Sequence, residues 1–199
     1  DKKEVEAITK EFPDVKKVLA ESKRLKTEAN KIRRKMITLN KKYSFIGEIL
    51  EKDSKSGKLR SAVISLFIEL GLYVDKKDIG NEDFKVYFEN RLILVEVKGS
   101  RNKAAKEDET TQVSKHINIA KKDNLDKTVT CLLVANYDNK TELGNRVKNP
   151  FTERQVKIGN SFETKLITVI ELIDLYRRVK TGEITLRSEE RRVGKECLR

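Results

Sequence analysis

Two charged side chains stand two residues apart at the end of an apolar run. Residues 92–95 are all apolar, and Glu96, Val97 and Lys98 follow them directly. Side chains alternate along a strand, so Glu96 and Lys98 are expected on one face while Val95 and Val97 share the other. Charges on a buried strand are costly unless they are paired or bind a metal. The segment therefore predicts either a chemical site or a buried ion pair.

A second carboxylate lies on the preceding strand. Asp83 begins that strand, and a tight turn at Asn90 leads into the next one. Pairing about this turn predicts Asp83 opposite Val97 or Lys98, on strands about 4.8 Å apart. Asp83 and Glu96 could then hold one hard divalent cation such as Mg²⁺, which takes oxygen ligands and keeps several waters. Lys98 would stabilise the charge that develops on a phosphate attacked by water. The alternative is a structural ion pair at a sheet edge.

The elements that must position these residues alternate between strands and helices. Predicted helices span residues 58–70, 110–122, 152–160 and 169–180, and predicted strands span residues 73–74, 83–89, 91–98, 129–137 and 165–168. Gly182 is expected to end the last helix. This order predicts an α/β fold with a mixed central sheet flanked by helices on both faces.

The order of aspartate, hairpin, apolar strand and Glu-x-Lys resembles the PD-(D/E)XK nuclease superfamily, which has the restriction-endonuclease-like fold. The resemblance covers about residues 57–182. It implies an endonuclease that uses Mg²⁺ or Mn²⁺, with Asp83, Glu96 and the Val97 carbonyl as metal ligands and Lys98 as a catalytic residue. Gln112, in "TTQVSKHI", stands where the family often places a glutamine near the catalytic lysine.

Later segments are also similar to a bacterial subgroup of uncharacterised nuclease-like domains, which are often carried on helical extensions. These segments are "LLVANYDN", "NPFTERQV" and "LITVIELIDLYRRVKTGEI". The chain departs from the family at the first helix, where many members carry a further glutamate directed at the site. Arg60 and Ser61 stand there instead, and Glu69 is expected to face solvent or support a packing contact. His116, the single histidine, is expected on the surface, with a phosphate contact as the alternative.

A heptad pattern occupies residues 14–51 and predicts a coiled coil or a long helical hairpin. The apolar seam consists of Val15, Val18, Ser22, Leu25, Ala29, Ile32, Met36, Leu39, Tyr43, Ile46 and Leu50. The alternative is one long helix docked on the following domain. We predict a helical arm at residues 1–54, a polar linker at 51–58 and a nuclease-like domain at 58–186.

The charge balance favours a polyanionic partner. The 199 residues contain 44 Lys and Arg against 32 Asp and Glu, a net charge of +12. This balance predicts nucleic acid, although ribosome-like or membrane-surface binding would also satisfy it. Nine bases against one acid lie between Ser22 and Lys42, an arrangement that suits sequence-neutral contacts with phosphates. The candidate contacts are Lys23, Arg24, Lys26, Lys31, Arg33, Arg34 and Lys35 on this helix, and Arg101, Lys103, Lys106 and Lys115 near the site.

Two cysteines cannot form a disulfide framework or a zinc cluster. Cys131 lies in an apolar strand and is expected to be a buried reduced thiol, which fits the cytoplasm. Cys197 belongs to a tail, residues 187–199, that resembles a translated sequencing adapter and is treated as an artefact. Excluding the tail leaves a net charge of +10. No apolar run reaches the length of a transmembrane helix.

These features together predict a Mg²⁺-dependent endonuclease acting on DNA, with RNA also open, and with no membrane partner. A second copy of the chain is expected to bind through the coiled coil. One alternative is a nuclease-fold domain that binds nucleic acid without cutting it. Another is a coiled-coil assembly protein in which Glu96 and Lys98 form a simple salt bridge.

Overall fold

The computed structural model describes residues 13–52, 56–76, 83–102, 117–118, 120–124 and 126–187. Its helices are α1 (Pro13–Leu50), α2 (Ser56–Glu69), α3 (Glu153–Ser161) and α4 (Val169–Lys180), and residues 117–118 and 120–123 are also helical. Its strands are β1 (Tyr73–Asp75), β2 (Phe84–Phe88), β3 (Arg91–Gly99), β4 (Thr128–Asn136) and β5 (Thr164–Thr168). The predicted fold class, a mixed α/β sheet with helices and a long N-terminal helix, is confirmed.

The five strands form one sheet in the order β1-β2-β3-β4-β5. β1, β2 and β3 are antiparallel neighbours, which short turns can connect, whereas β4 and β5 run parallel to β3. A parallel pair needs a crossover, and the helical residues 117–118 and 120–123 lie on the β3–β4 crossover. The sheet therefore changes from antiparallel to parallel at β3, the strand that carries Glu96 and Lys98.

Both faces of the sheet are covered. On one face, Val95 and Val97 of β3 pack in a core cluster with residues of α2 and α4, including Leu66 and Leu172. On the opposite face, a second cluster contains Leu92, Leu94, Ile117, Val129, Cys131 and Leu133. The alternation along β3 places Glu96 and Lys98 on this second face, immediately beyond Leu94. The predicted separation of the two charged residues from Val95 and Val97 is confirmed.

The chain forms two compact units, and the boundary between them lies inside helix α1, between Ser44 and Phe45. Pro13 suits the first position of a helix, and Asp14 interacts favourably with the positive end of its dipole. From residue 14 to residue 44 every side chain is exposed. Phe45 and Ile49, by contrast, are buried in the core with 4% and 0% exposure. The globular unit thus begins inside the helix, before the boundary at residue 54 that the sequence predicted.

A polar network ties the end of α1 to the end of β4. The last carbonyls of a helix lack partners within the helix. Here Asn136 Nδ2 donates to Ile49 O at 3.0 Å, and Arg146 Nη2 donates to Leu50 O at 3.2 Å. Arg146 Nη1 also donates to Asn136 Oδ1 at 3.0 Å. Because burial lowers the pKa of Arg146, these acceptors are needed to support its charge.

Within the described part of the chain, no helix is long and apolar enough to cross a membrane.

Candidate active site

The hairpin between β2 and β3 sets the position of Asp83. The pairing runs from Phe88 opposite Arg91 to Phe84 opposite Val95, where it ends. Asp83 lies just beyond the paired residues, and its backbone N–H donates to Val95 O at 3.0 Å. The observed register differs by one or two positions from the one assumed in predicting Asp83 opposite Val97 or Lys98. The turn contains two residues, not one, and each residue added to a turn shifts the pairing by one position.

The Asp83 carboxylate is held beside β3. The backbone N–H of Val97 donates to Asp83 Oδ2 at 2.7 Å. In an antiparallel pair, the N–H and C=O of one residue point toward the same neighbouring strand. The Val97 carbonyl is therefore expected on the same side of β3 as Asp83, and its role as a third oxygen ligand stays a prediction. Asp83 thus contacts the backbone of the two residues that flank Glu96, at the point where the pairing of β2 and β3 ends.

Glu96 and Lys98 form an ion pair on one face of β3. Lys98 Nζ lies 2.5 Å from Glu96 Oε1, and their side chains are 31% and 16% exposed. Burial raises the pKa of Glu96, and the negative charge of Asp83 raises it further, whereas the Lys98 ammonium lowers it. Asp83 thus lies close enough to Glu96 to act on its titration. Two carboxylates in one partly buried place favour a cation between them.

Arg60 is a site residue whose role the sequence did not indicate. It lies on α2, where Leu59 and Val63 are fully buried against the sheet and so fix the helix beside β2. Arg60 Nε lies 3.7 Å from Asp83 Oδ1, and Arg60 Nη2 donates to the Asp83 backbone carbonyl. The resemblance indicated only that an arginine stands where many members of the nuclease superfamily carry a glutamate. The sequence carried no pattern linking that arginine to Asp83, because the contact spans 23 residues of chain.

Ser61 and Glu69, the other two residues considered in place of a first-helix glutamate, make different contacts. The Ser61 hydroxyl donates to Gly57 O one turn earlier in α2, at 3.0 Å. Glu69 is the last residue of α2, and Lys180 Nζ donates to its backbone carbonyl. This contact uses the backbone of Glu69, so the two alternatives for its side chain, exposure to solvent or support of a packing contact, stay predictions.

A further carboxylate, that of Asp138, lies near this edge of the sheet and accepts hydrogen bonds within its own loop. Asp138 follows β4, and its backbone N–H donates to Asn102 O at 2.8 Å, just beyond β3. Its side chain accepts hydrogen bonds from Thr141 Oγ1 at 2.7 Å and from Val147 N at 3.3 Å. Among the residues that the structure describes, no three His, Cys, Asp or Glu side chains are grouped to hold a metal ion. The candidate metal ligands are therefore two carboxylates and a backbone carbonyl.

Several predicted site residues fall outside the described residues. These are Gln112, Lys103, Lys106, Lys115 and His116. Arg101 is described, and it is exposed directly after β3. The candidate phosphate contacts on α1 are all exposed, and they are Lys23, Arg24, Lys26, Lys31, Arg33, Arg34 and Lys35. Among them, Arg24 Nη2 forms a surface ion pair with Glu21 Oε1 at 2.9 Å.

Comparison with known proteins gave no assignment, since no protein-family model matches the chain and no curated protein is significantly similar to it.

Proposed function

We propose that this protein is a metal-dependent endonuclease that hydrolyses phosphodiester bonds in DNA at a site formed by Asp83, Glu96 and Lys98. The observation that carries the proposal is one juxtaposition. Asp83 is hydrogen-bonded to Val95 and Val97, the residues on either side of Glu96, and Lys98 Nζ lies 2.5 Å from Glu96 Oε1. Two carboxylates and an ammonium in one place are the groups that metal-assisted attack on a phosphodiester needs.

The donor set fits a hard divalent cation, Mg²⁺ or Mn²⁺. Such ions take oxygen ligands and are commonly held by one or two carboxylates together with water and substrate phosphate oxygens. Asp83, Glu96 and the Val97 carbonyl would hold the ion. The raised pKa of Glu96 supports this fit, because a cation would offset the cost of two neighbouring negative charges. When bound, such a cation polarises the phosphate and lowers the pKa of a bound water.

Lys98 has two roles in this proposal. Without substrate, its ammonium offsets the charge of Glu96. With a phosphodiester bound, the same ammonium would donate hydrogen bonds to the attacking water or to a phosphate oxygen, where negative charge develops. Lys98 is 31% exposed, so a substrate can reach it. Gln112 would orient Lys98 or the phosphate, as the family resemblance implies.

The basic composition favours DNA as the substrate class. The exposed bases of α1 would add contacts with phosphates that do not depend on sequence. RNA carries the same phosphates and is therefore the first competing substrate to test. Cys131 is a buried cysteine that forms no disulfide, which is consistent with the cytoplasmic location that we propose.

A second candidate function is nucleic-acid binding without cleavage. The observation that favours it is Arg60, a cation that already lies near the Asp83 carboxylate where a metal would bind. The third reading, an assembly protein, draws on the Glu96–Lys98 ion pair, which could be structural. The three readings differ in whether the protein binds DNA and whether it cuts it.

One experiment separates the three readings. Supercoiled plasmid is incubated with the full-length protein in Mg²⁺, in Mn²⁺ or in EDTA, and DNA binding is measured in parallel. We expect nicked or linear product with either metal and none in EDTA, and Asp83→Asn should give no product. Binding without cleavage in every metal would support the silent binder. Neither binding nor cleavage would support the assembly protein.

A further inference from the structure

A row of apolar side chains on α1 lacks any cover from the rest of the described chain. Val18 is 68% exposed, Ile32 and Met36 are each 58% exposed, and Leu25 and Leu39 are each 54% exposed. These residues belong to the heptad seam, so they follow one stripe of the helix. The C-terminal part of the seam is covered, because Ile46 packs against the core of the globular unit. The uncovered seam therefore runs from Val15 to Tyr43.

Charges beside the seam indicate which partner would cover it. In the heptad that places Ser22 and Ala29 at position a, Glu21 and Glu28 occupy position g, and Lys26 and Arg33 occupy position e. In a parallel coiled coil, a g residue meets the e residue of the following heptad on the other helix. Two copies aligned in register would bring Glu21 near Lys26 and Glu28 near Arg33 of the second copy. Each of these contacts would occur twice, and all of them are attractive.

We propose that residues 15–43 bind the same segment of a second copy as a parallel, in-register coiled coil. Other alignments are less favourable. Shifting one helix by a heptad leaves Glu28 opposite Asn40. An antiparallel pair that places Glu28 beside Lys35 also places Lys26 beside Arg33 of the second copy, and these bases repel.

This pairing leaves most of the basic surface of α1 available. Lys23, Arg24, Lys31, Arg34 and Lys41 occupy positions b, c and f, which point away from the seam. The same helix can thus bind a second copy with one stripe and a polyanion with the opposite stripe. The inference goes beyond the proposed activity and does not depend on it. If both hold, one assembly carries two Asp83–Glu96 sites.

Sedimentation equilibrium of the full chain at micromolar concentration tests the pairing. We expect twice the mass of one chain. The double variant Leu25→Glu and Ile32→Glu places charges in the seam and should give the mass of one chain. The matched control, Ala20→Glu and Thr27→Glu, adds the same charge at position f and should keep the doubled mass. A wild-type mass of one chain, or of three or more chains, would overturn the proposal.

Cross-linking tests the orientation without weakening the seam. Ser22→Cys is made in a Cys197→Ser background, in which Cys131 is buried. Parallel, in-register pairing places the two introduced thiols at position 22 side by side, so mild oxidation should give a covalent dimer. In the antiparallel alignment considered above, position 22 faces position 39, and the two thiols lie roughly 25 Å apart at 1.5 Å per residue. A dimer that does not cross-link would overturn the parallel arrangement.

Discussion

The β2–β3 hairpin and the exposed part of α1 both concentrate charge, but they do so in opposite environments. On the hairpin, the Glu96 side chain is only 16% exposed, and burial raises its pKa. On α1, every base from Lys23 to Lys42 is exposed to solvent. A partly buried charge depends on the identity and position of its partners, whereas an exposed charge acts through screened, general attraction. Substitutions on the hairpin should therefore change rates, and substitutions on α1 should change affinity.

The largest expected effect comes from removing either carboxylate of the hairpin. Asp83→Ala or Glu96→Ala should abolish Mg²⁺-dependent cleavage, because each leaves the cation with a single carboxylate. Glu89→Ala is the matched control, since Glu89 lies in the turn of the same hairpin and should retain activity. Plasmid cleavage reports the rate, and thermal unfolding should stay cooperative in all three variants. Full cleavage by either site variant would remove that residue from the site.

The bases of α1 should give a smaller effect, confined to binding. Replacing Lys31 and Arg34 with glutamine should weaken binding to unrelated duplexes alike. The slope of log affinity against log salt should fall by roughly two, about one for each phosphate that is no longer neutralised. Replacing Lys148 and Lys157, which are exposed in the globular unit, removes the same charge as a control. Equal effects of the two pairs would mean that net charge alone governs affinity.

Replacing Arg60 should have a modest effect and should increase the affinity for the metal ion. Arg60→Gln removes a positive charge that lies 3.7 Å from the Asp83 carboxylate, so Mn²⁺ should compete for Asp83 more easily. We expect Mn²⁺ affinity, measured by calorimetry, to rise several-fold, the scale of a partly exposed charge contact. Lys58→Gln, on the same helix and paired with Glu51, is the control. A fall in affinity would mean that Arg60 supports the site.

The smallest effect concerns the titration of Glu96. Because its folded pKa is raised above the unfolded value, the fold favours the protonated acid. The contribution of Glu96 to the free energy of unfolding should therefore fall as pH rises from the ordinary glutamate value, about 4.3, through the raised value. Metal affinity should rise over the same interval, as the carboxylate forms. Glu96→Gln should reduce the change in the free energy of unfolding over this pH interval. A variant whose pH profile of thermal unfolding equals that of the wild type would contradict this role of Glu96.

The sequence predicted much of the fold because local patterns determine it. The apolar run at residues 92–95 located β3, and the observed α4 matches the predicted helix at residues 169–180. That helix has clear ends, since Thr168 and Glu171 form a capping box and Gly182 adopts a positive φ of 76°. The hairpin register was predicted wrongly by one or two residues. Glu89 has a positive φ of 52° in a turn without glycine, so the sequence did not reveal the turn length.

The contacts that the sequence missed all depend on tertiary packing. Phe45 and Ile49 lie outside the heptad seam, so the heptad did not indicate that the end of α1 enters the globular core. The contact between Arg60 and Asp83 requires α2 to lie beside β2, which no local pattern specifies. The candidate site was predicted as a set of residues, whereas the position of Arg60 beside Asp83 became visible only in three dimensions.

Lys98 provides the most direct test, because it separates a nuclease from a carboxylate pair that only binds metal. Lys98→Met keeps the length of the side chain and removes its charge. Single-turnover cleavage of a labelled duplex at saturating protein and Mg²⁺ should slow by roughly 10²-fold, the scale of losing one transition-state interaction. DNA and Mg²⁺ binding should persist, and Lys98→Arg should not restore the rate, because a planar guanidinium differs in shape from a compact ammonium. Cleavage by Lys98→Met within about threefold of the wild type, far short of that scale, would contradict the proposed mechanism.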